Sequence, residues 1–284
     1  MNSERLLAID IDGTLLDSAM NLHDQSRQAL DRAREAGFHL VFATGRQYRS
    51  CVDLIKDVAP GAPAVLNSGA LVKQSDTDET VFLKSVPEAI ALAIAAQIEA
   101  MDFTPIIMMD GFVKGFDYVT TSIEGRTSSH ARFTTKNRKW GLFVDALPET
   151  LPAPPTQVLA LGAMEPLKGV IDAVRRQFGD QVDTRIIRAP QYSYYVFEAY
   201  APDVHKWDAV QWVARRLGIA DRAIAAIGDD INDTEMLREC GMGIAMGNAP
   251  DHVKAAADAT VATCDDGGFA QAVALILDAF PSHR

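Results

Sequence analysis

Cysteine is scarce in this chain: Cys51, Cys240 and Cys264 are the three among 284 residues. They lie far apart and form no C-x-x-C pair, which argues against a disulfide framework and against a zinc site. They read as small buried hydrophobes in a reducing cytosol, so a cytoplasmic protein is expected. Long apolar runs are missing too. The stretch AIALAIAA near residue 90 comes closest, and Gln97 and Glu99 cut it short of the roughly 18–20 residues that a membrane helix needs. The opening MNSERLLAID has no basic segment leading into an apolar one, so no signal peptide is expected. Positive charge is the third shortage, since 27 Lys and Arg face 38 Asp and Glu for a net charge of −11. That balance disfavours nucleic acid or an anionic membrane as a partner, yet leaves open a small anionic substrate held in one cleft.

What is present is ordinary globular material of a length that suits two domains. Leu6 to Ile9 is an apolar run too short for a helix and suits a strand buried on both faces. Ala29, Leu30, Ala33 and Ala36 then recur at helical spacing and stop at Gly37. His39 to Ala43 reads as a second buried strand, and Cys51, Leu54, Ile55 and Val58 as a helix ending before Pro60. The alternation returns later as helix Lys206 to Leu217, strand Ala223 to Ile227, helix Asp233 to Glu239 and strand Met242 to Ala245. Strand–helix alternation of this kind predicts an α/β fold, a doubly wound and mostly parallel Rossmann-like sheet. Residues 85–189 break the pattern. A helix from Ala89 to Met101, a run from Pro105 to Met109, a polar irregular stretch and a proline loop come first. A strand near Val158 to Ala163, a helix near Leu167 to Phe178 and a strand near Asp183 to Arg188 follow. They read as a smaller α/β domain inserted between core segments 1–84 and 190–284.

Three predicted strands end in chemically capable residues, and ligands of open α/β sheets bind at the carboxyl ends of strands. These are Asp10-Ile11-Asp12-Gly13-Thr14, Thr44-Gly45-Arg46 and Gly228-Asp229-Asp230-Ile231-Asn232-Asp233. Asp10 and Asp12 are two apart, so on extended backbone their side chains point the same way. An oxygen-only set of Asp10, Asp12 and Asp229, without a His or Cys cluster, suits a hard ion such as Mg²⁺. Asp-Gly and Asn-Asp also make ordinary turns. Taken alone, Lys206 and Arg46 are solvated residues at helix starts, and Thr44 a turn hydroxyl.

The order D-x-D-G-T-L (Asp10 to Leu15), A-T-G-R (Ala43 to Arg46), Lys206 opening a helix and G-D-D-x-N-D (Gly228 to Asp233) resembles the haloacid dehalogenase superfamily. The tail from Gly243 to Ala249, with Val253-Lys254 and Ala257-Asp258, is similar to its Cof-type, type IIB branch of sugar-phosphate phosphatases. The resemblance covers residues 5–84 and 191–278, and the insert only by position. It implies Asp10 as a nucleophile forming an aspartyl-phosphate, and Asp12 as the acid and base. Mg²⁺ would be held by Asp10, the backbone carbonyl of Asp12, and Asp229. Phosphate would be bound by Lys206, Thr44, Asn232 and the backbone amides of Ile11 and Gly45. Asp233 would support Lys206 or metal waters, and Arg46 the site. Trp207 departs from the glycine usual after that lysine.

The resemblance further implies that residues 85–189 are a cap over the site. The expected substrate is a small phosphorylated metabolite and the expected assembly a monomer or homodimer. A phosphomutase of the same superfamily and a non-catalytic phosphometabolite sensor are the alternatives. His130, Arg132, Lys136, Arg138, Lys139 and Trp140 form a basic and aromatic cluster, read as a solvated face or as a substrate-binding rim. His205, beside Lys206, reads as structural.

Overall fold

A computed structural model describes residues 4–189 and 194–281. The chain divides into two compact units, Met1–Phe82 with His205–Arg284, and Leu83–Val204. In chain order the first unit opens with β1 (Arg5–Ile9), α1 (Asp24–Glu35), β2 (Phe38–Ala43), α2 (Val52–Val58), β3 (Pro63–Leu66), β4 (Leu71–Gln74) and β5 (Thr80–Leu83). The second contains α3 (Glu88–Ala100), β6 (Ile106–Met109), β7 (Tyr118–Thr120), α4 (Ser128–Lys136), β8 (Gly141–Phe143), β9 (Pro155–Gly162), α5 (Met164–Phe178), β10 (Asp183–Ala189) and β11 (Tyr194–Tyr200). The first unit resumes with α6 (Lys206–Arg216), β12 (Ile224–Gly228), α7 (Thr234–Glu239), β13 (Met242–Ala245), α8 (Asp251–Lys254), β14 (Ala259–Thr260) and α9 (Gly268–Ala279).

Among the described residues the first unit has one eight-stranded sheet, in the order β14-β13-β12-β1-β2-β3-β4-β5. β1 sits inside it, parallel to β12 on one side and to β2 on the other. Leu6, Leu7, Ala8 and Ile9 have no exposed surface, which is why this strand has no polar face. Each Leu or Ile so buried stabilises the fold by about 1.5–3 kcal/mol. Leu6, Ala8, Val41, Ala43, Ile224 and Ala226 pack on one face with Val210, Val213 and Ala214 of α6 and Met236 and Leu237 of α7. Strand alternation sends Leu7, Ile9 and Phe42 to the other face, where α1 and α9 pack together and touch β2 and β12. This is the doubly wound, mostly parallel arrangement of the sequence reading; β4 departs from it by running antiparallel to β3. No sequence period marks strands between Pro60 and residue 84, because β3, β4 and β5 are four-residue pieces.

The inserted unit has a six-stranded sheet, in the order β10-β11-β9-β6-β7-β8. Its adjacent strands pair antiparallel except β7 with β8, which run parallel. This corrects the boundary read from sequence. Tyr194–Tyr200 pairs with β10 along seven positions and with β9 along five, so it belongs to the insert and not to the core. The unit therefore runs on to Val204, whereas the boundary at 190 falls among residues 190–193, outside the described residues. The stretch read as irregular also holds structure: β7, α4 and β8. Two of these are three-residue strands, and α4 has only His130 and Thr134 buried, so periodicity had little to act on. Its start is capped by the Thr127 hydroxyl, which accepts the His130 N–H at 3.1 Å. Among the described residues no helix is long and apolar enough to cross a membrane.

Candidate active site

The register of the central strands brings the three predicted segments together. Ile9 pairs with Ile227 of β12 and with Phe42 of β2, so Asp10, Thr44 and Asp229 all emerge just beyond adjacent strand ends. Neighbouring strands lie about 4.8 Å apart, within reach of side-chain chemistry. β13 adds a fourth end, since Gly228 pairs with Ala245 and Asn248 follows three residues later.

Lys206 is the centre of the cluster. It is the first residue of α6 and 1% exposed, and its Nζ donates to Asp10 Oδ1 at 2.7 Å and to Asp233 Oδ1 at 2.6 Å. The helix start is fixed by a tight approach within the same unit. A Cβ at Gly69, whose φ is +111°, would lie 2.1 Å from the His205 carbonyl oxygen. Asp233 has no exposure and also accepts the N–H groups of Asp229 at 3.1 Å and Asp230 at 3.0 Å. With those three donors it is a brace for Lys206 and for the Asp229 turn.

Asp229 is held from two sides. Its Oδ1 accepts the Thr14 hydroxyl at 3.0 Å and its Oδ2 the Asn248 amide at 2.9 Å. Close approach to the first loop requires glycine at residue 13, where φ is +74° and a Cβ would meet Asp229 Oδ2 at 2.4 Å.

Carboxylate oxygens of Asp10, Asp229 and Asp233 lie within 4.8 Å of one another. Burial first, then the charges of Asp233 and Asp229, push the Asp10 carboxyl well above its usual range, against the pull of Lys206. Burial and the charge of Asp233 push Asp229 up to about 7. Burial works against the charged form of Lys206, but Asp10 and Asp233 outweigh it and hold the ammonium protonated. Three carboxylates thus face one ammonium. Because Asp233 is already committed to Lys206 and two backbone amides, Asp10 and Asp229 are the oxygens available to a cation. Hard, crowded, negatively charged oxygen donors of this kind fit a divalent ion such as Mg²⁺.

Asp12 differs from the sequence expectation. The strand stops at Ile9 and the chain turns, so strand alternation does not align Asp10 with Asp12. Asp10 is buried on Lys206, whereas the Asp12 side chain is 46% exposed and gripped by Arg46. Arg46 Nε donates to Oδ2 at 2.7 Å and Nη2 to Oδ1 at 2.6 Å, while Nη1 holds the Ser50 carbonyl at 3.0 Å. Arg46 is therefore no solvated residue; its side chain is 18% exposed.

Thr44 is buried and its Oγ1 accepts the Arg46 N–H at 3.1 Å, which leaves its own proton to donate. Gly45 is exposed at the same strand end. A Cβ on it would stand 3.5 Å from Ser68 Oγ and 3.7 Å from Asn232 Nδ2, so two polar side chains converge there. The Asn232 Oδ1 is buried without a hydrogen-bond partner. Ile11 is buried directly after Asp10. Thr14, Ser68 and Asn248 received no role from the sequence, although Thr14 and Asn248 sit in the quoted D-G-T and G-N-A segments. Their signal was a polar residue just beyond a strand end. Ser68 carried none, because its position depends on the turn Asn67–Gly69, tied by its N–H to the Thr44 carbonyl at 3.1 Å.

The other candidates make different contacts. His205 is exposed, 3.7 Å from Glu235. Trp207 is 5% exposed and packs in the core. In the inserted unit His130 is 1% exposed, its Nε2 is 2.8 Å from the Ser122 carbonyl, and burial lowers its pKa, so it is no part of a basic surface. All three cysteines are free thiols, Cys51 and Cys264 buried and Cys240 half-buried.

A family model described as haloacid dehalogenase-like hydrolase matches residues 7–273. The chain is 27% identical to pyridoxal phosphate phosphatase YbhA of Escherichia coli (strain K12), over 90% of this chain and 93% of that protein. It is 26% identical to 5-amino-6-(5-phospho-D-ribitylamino)uracil phosphatase YitU of Bacillus subtilis (strain 168), over 94% of this chain and 95% of that one. Among solved structures, a haloacid dehalogenase-like hydrolase from Bacteroides thetaiotaomicron matches with a TM-score of 0.82 at 22% identity, covering 96% of this chain and 100% of that chain. The HAD subclass IIB sugar phosphatase BT4131 matches with a TM-score of 0.72 at 20% identity, covering 96% and 98%. The two structural likenesses bear on the fold.

Proposed function

The chain belongs to the haloacid dehalogenase-like hydrolases and is a phosphoric monoester hydrolase, and from that premise we propose that it is a Mg²⁺-dependent phosphatase of small polar phosphomonoesters, sugar phosphates first, working through an aspartyl-phosphate on Asp10. The observation that carries this reading is the Lys206 bridge between Asp10 and Asp233 at 1% exposure, a charge cluster with no use in a merely structural strand end.

An Asp10 carboxylate oxygen attacks phosphorus, and the bond from phosphorus to the leaving oxygen breaks as the Asp12 carboxyl gives that oxygen its proton. Asp12 then takes a proton from water. The resulting hydroxide attacks the phosphorus of the aspartyl-phosphate, releasing phosphate and restoring Asp10. Lys206 keeps a fixed positive charge beside the nucleophile, and the hydroxyl of Thr44, the amide of Asn232 and the backbone N–H groups of Ile11 and Gly45 serve the phosphoryl oxygens. The carboxylates of Asp10 and Asp229 and the backbone carbonyl of Asp12 would hold Mg²⁺, which when bound supplies charge that neutralises the transferring group.

The small-substrate reading draws on relatives named for pyridoxal phosphate and for a ribityl-phosphate uracil, and on a neighbour named a sugar phosphatase. The test is phosphate release from a panel of sugar phosphates, nucleotides, cofactor phosphates and phosphopeptides, with and without Mg²⁺, by the wild type and Asp10→Asn. Mg²⁺-dependent release from sugar phosphates, abolished in the variant, is expected. Accumulation of an isomeric phosphoester instead of phosphate would mark a phosphomutase. Best turnover of phosphopeptides would overturn the substrate class.

A further inference from the structure

We propose that Asn248 is a positioning residue for the metal-binding carboxylate Asp229, an inference that rests on the reading of Asp10 and Asp229 as a divalent-cation site. Asn248 lies in the turn after β13, and its side chain joins three separate segments. Nδ2 donates to the Gly13 carbonyl at 2.9 Å and to Asp229 Oδ2 at 2.9 Å, while Oδ1 accepts the Cys264 N–H at 3.0 Å. The last bond fixes the orientation of the amide. A backbone N–H can only donate, so Oδ1 must face Cys264 and the NH₂ group must face the carboxylate.

Asp229 is then gripped symmetrically. Thr14, from the loop after β1, donates to Oδ1, and Asn248, from the turn after β13, donates to Oδ2. Each oxygen keeps a lone pair for a cation, and the plane of the carboxylate is set from both sides. The Gly13 contact matters equally, because Gly13 follows the residue whose carbonyl belongs to the proposed metal set. One amide thus fixes the distance between the loop after β1 and the ligand after β12. A purely structural tie between the turn and residue 264 would need the Cys264 bond alone; the bond to Asp229 goes beyond it. Partners of this kind typically change metal affinity by about 10–100-fold when removed.

The experiment is direct Mn²⁺ binding to chelator-stripped protein, followed by electron paramagnetic resonance and titration calorimetry, beside thermal melts in chelator. Wild type is expected to bind one Mn²⁺ per chain. Asn248→Ala and the near-isosteric Asn248→Leu should weaken binding by roughly tenfold or more. Thr263→Ala, which disturbs the same loop through its bond to Asp266 at 2.6 Å without touching Asp229, should bind as wild type does. The Leu variant serves where Ala does not fold. Folded Asn248 variants with lowered melting temperature and unchanged Mn²⁺ affinity would reduce Asn248 to a structural tie and overturn the proposal. A wild type that binds no Mn²⁺ would remove the cation reading itself, a failure told apart because it precedes any substitution.

Discussion

Arg46 grips Asp12 through two parallel hydrogen bonds, of 2.7 Å from Nε and 2.6 Å from Nη2, across 34 residues of sequence. A guanidinium fork on a carboxylate fixes direction as well as distance, which an ammonium cannot do. Arg46→Ala should lower kcat/KM by roughly 10–100-fold, because a small misplacement of an acid–base group has costs of that order. Arg46→Lys should recover only part of the loss. Steady-state kinetics on one phosphomonoester decides it, and an unchanged kcat/KM in both variants would free Asp12 from this partner.

Lys206 carries a double expectation. Lys206→Met removes a preorganised charge beside the nucleophile, so the rate should fall on the order of 10²–10³-fold. The same change leaves Asp10 and Asp233 buried without their cation, and breaking such pairs costs about 3–5 kcal/mol. Urea unfolding in chelator and kinetics in saturating Mg²⁺ read the two effects separately. A loss of rate with unchanged stability would mean that the carboxylates protonate when the lysine is gone.

Gly13→Ala should weaken metal binding more than it weakens folding. Its Cβ would fall 2.4 Å from Asp229 Oδ2 at a backbone φ of +74°, so either the loop or the ligand must move. A rise in the Mg²⁺ concentration needed for half-maximal activity, with a melting temperature a few degrees lower, is the expected pattern.

Metal removal should show in stability as well as in activity. A ligand that binds only the folded state at 100 times its dissociation constant stabilises it by about 2.7 kcal/mol. Thermal melts with and without Mg²⁺ should therefore differ in the wild type. The difference should shrink in Asp229→Ala, and an equal Mg²⁺ effect in both would place the ion elsewhere.

Much of the core was legible because its signals are local. Leu6 to Ile9, Ala29 to Ala33 and Met242 to Ala245 show the apolar period of their element, and burial enforces that period. Asp10, Thr44 and Asp229 were readable as candidates because they follow such runs in an order that a parallel sheet converts into neighbours. The insert was less legible: β7 and β8 have three residues each, too few for any period, and β11 joined the second sheet through its pairing with β10 and β9.

By itself the sequence determined which residues end the central strands and that acids outnumber bases there. Only the tertiary structure decided who holds whom. Lys206 meets Asp10 from 196 residues away, Asn248 meets Gly13 from 235, and Arg46 takes Asp12 away from the direction that strand alternation predicted. Charge pairing and hydrogen bonding depend on distances of about 3 Å, and a chain's local preferences carry no information at that scale about residues brought together by sheet register.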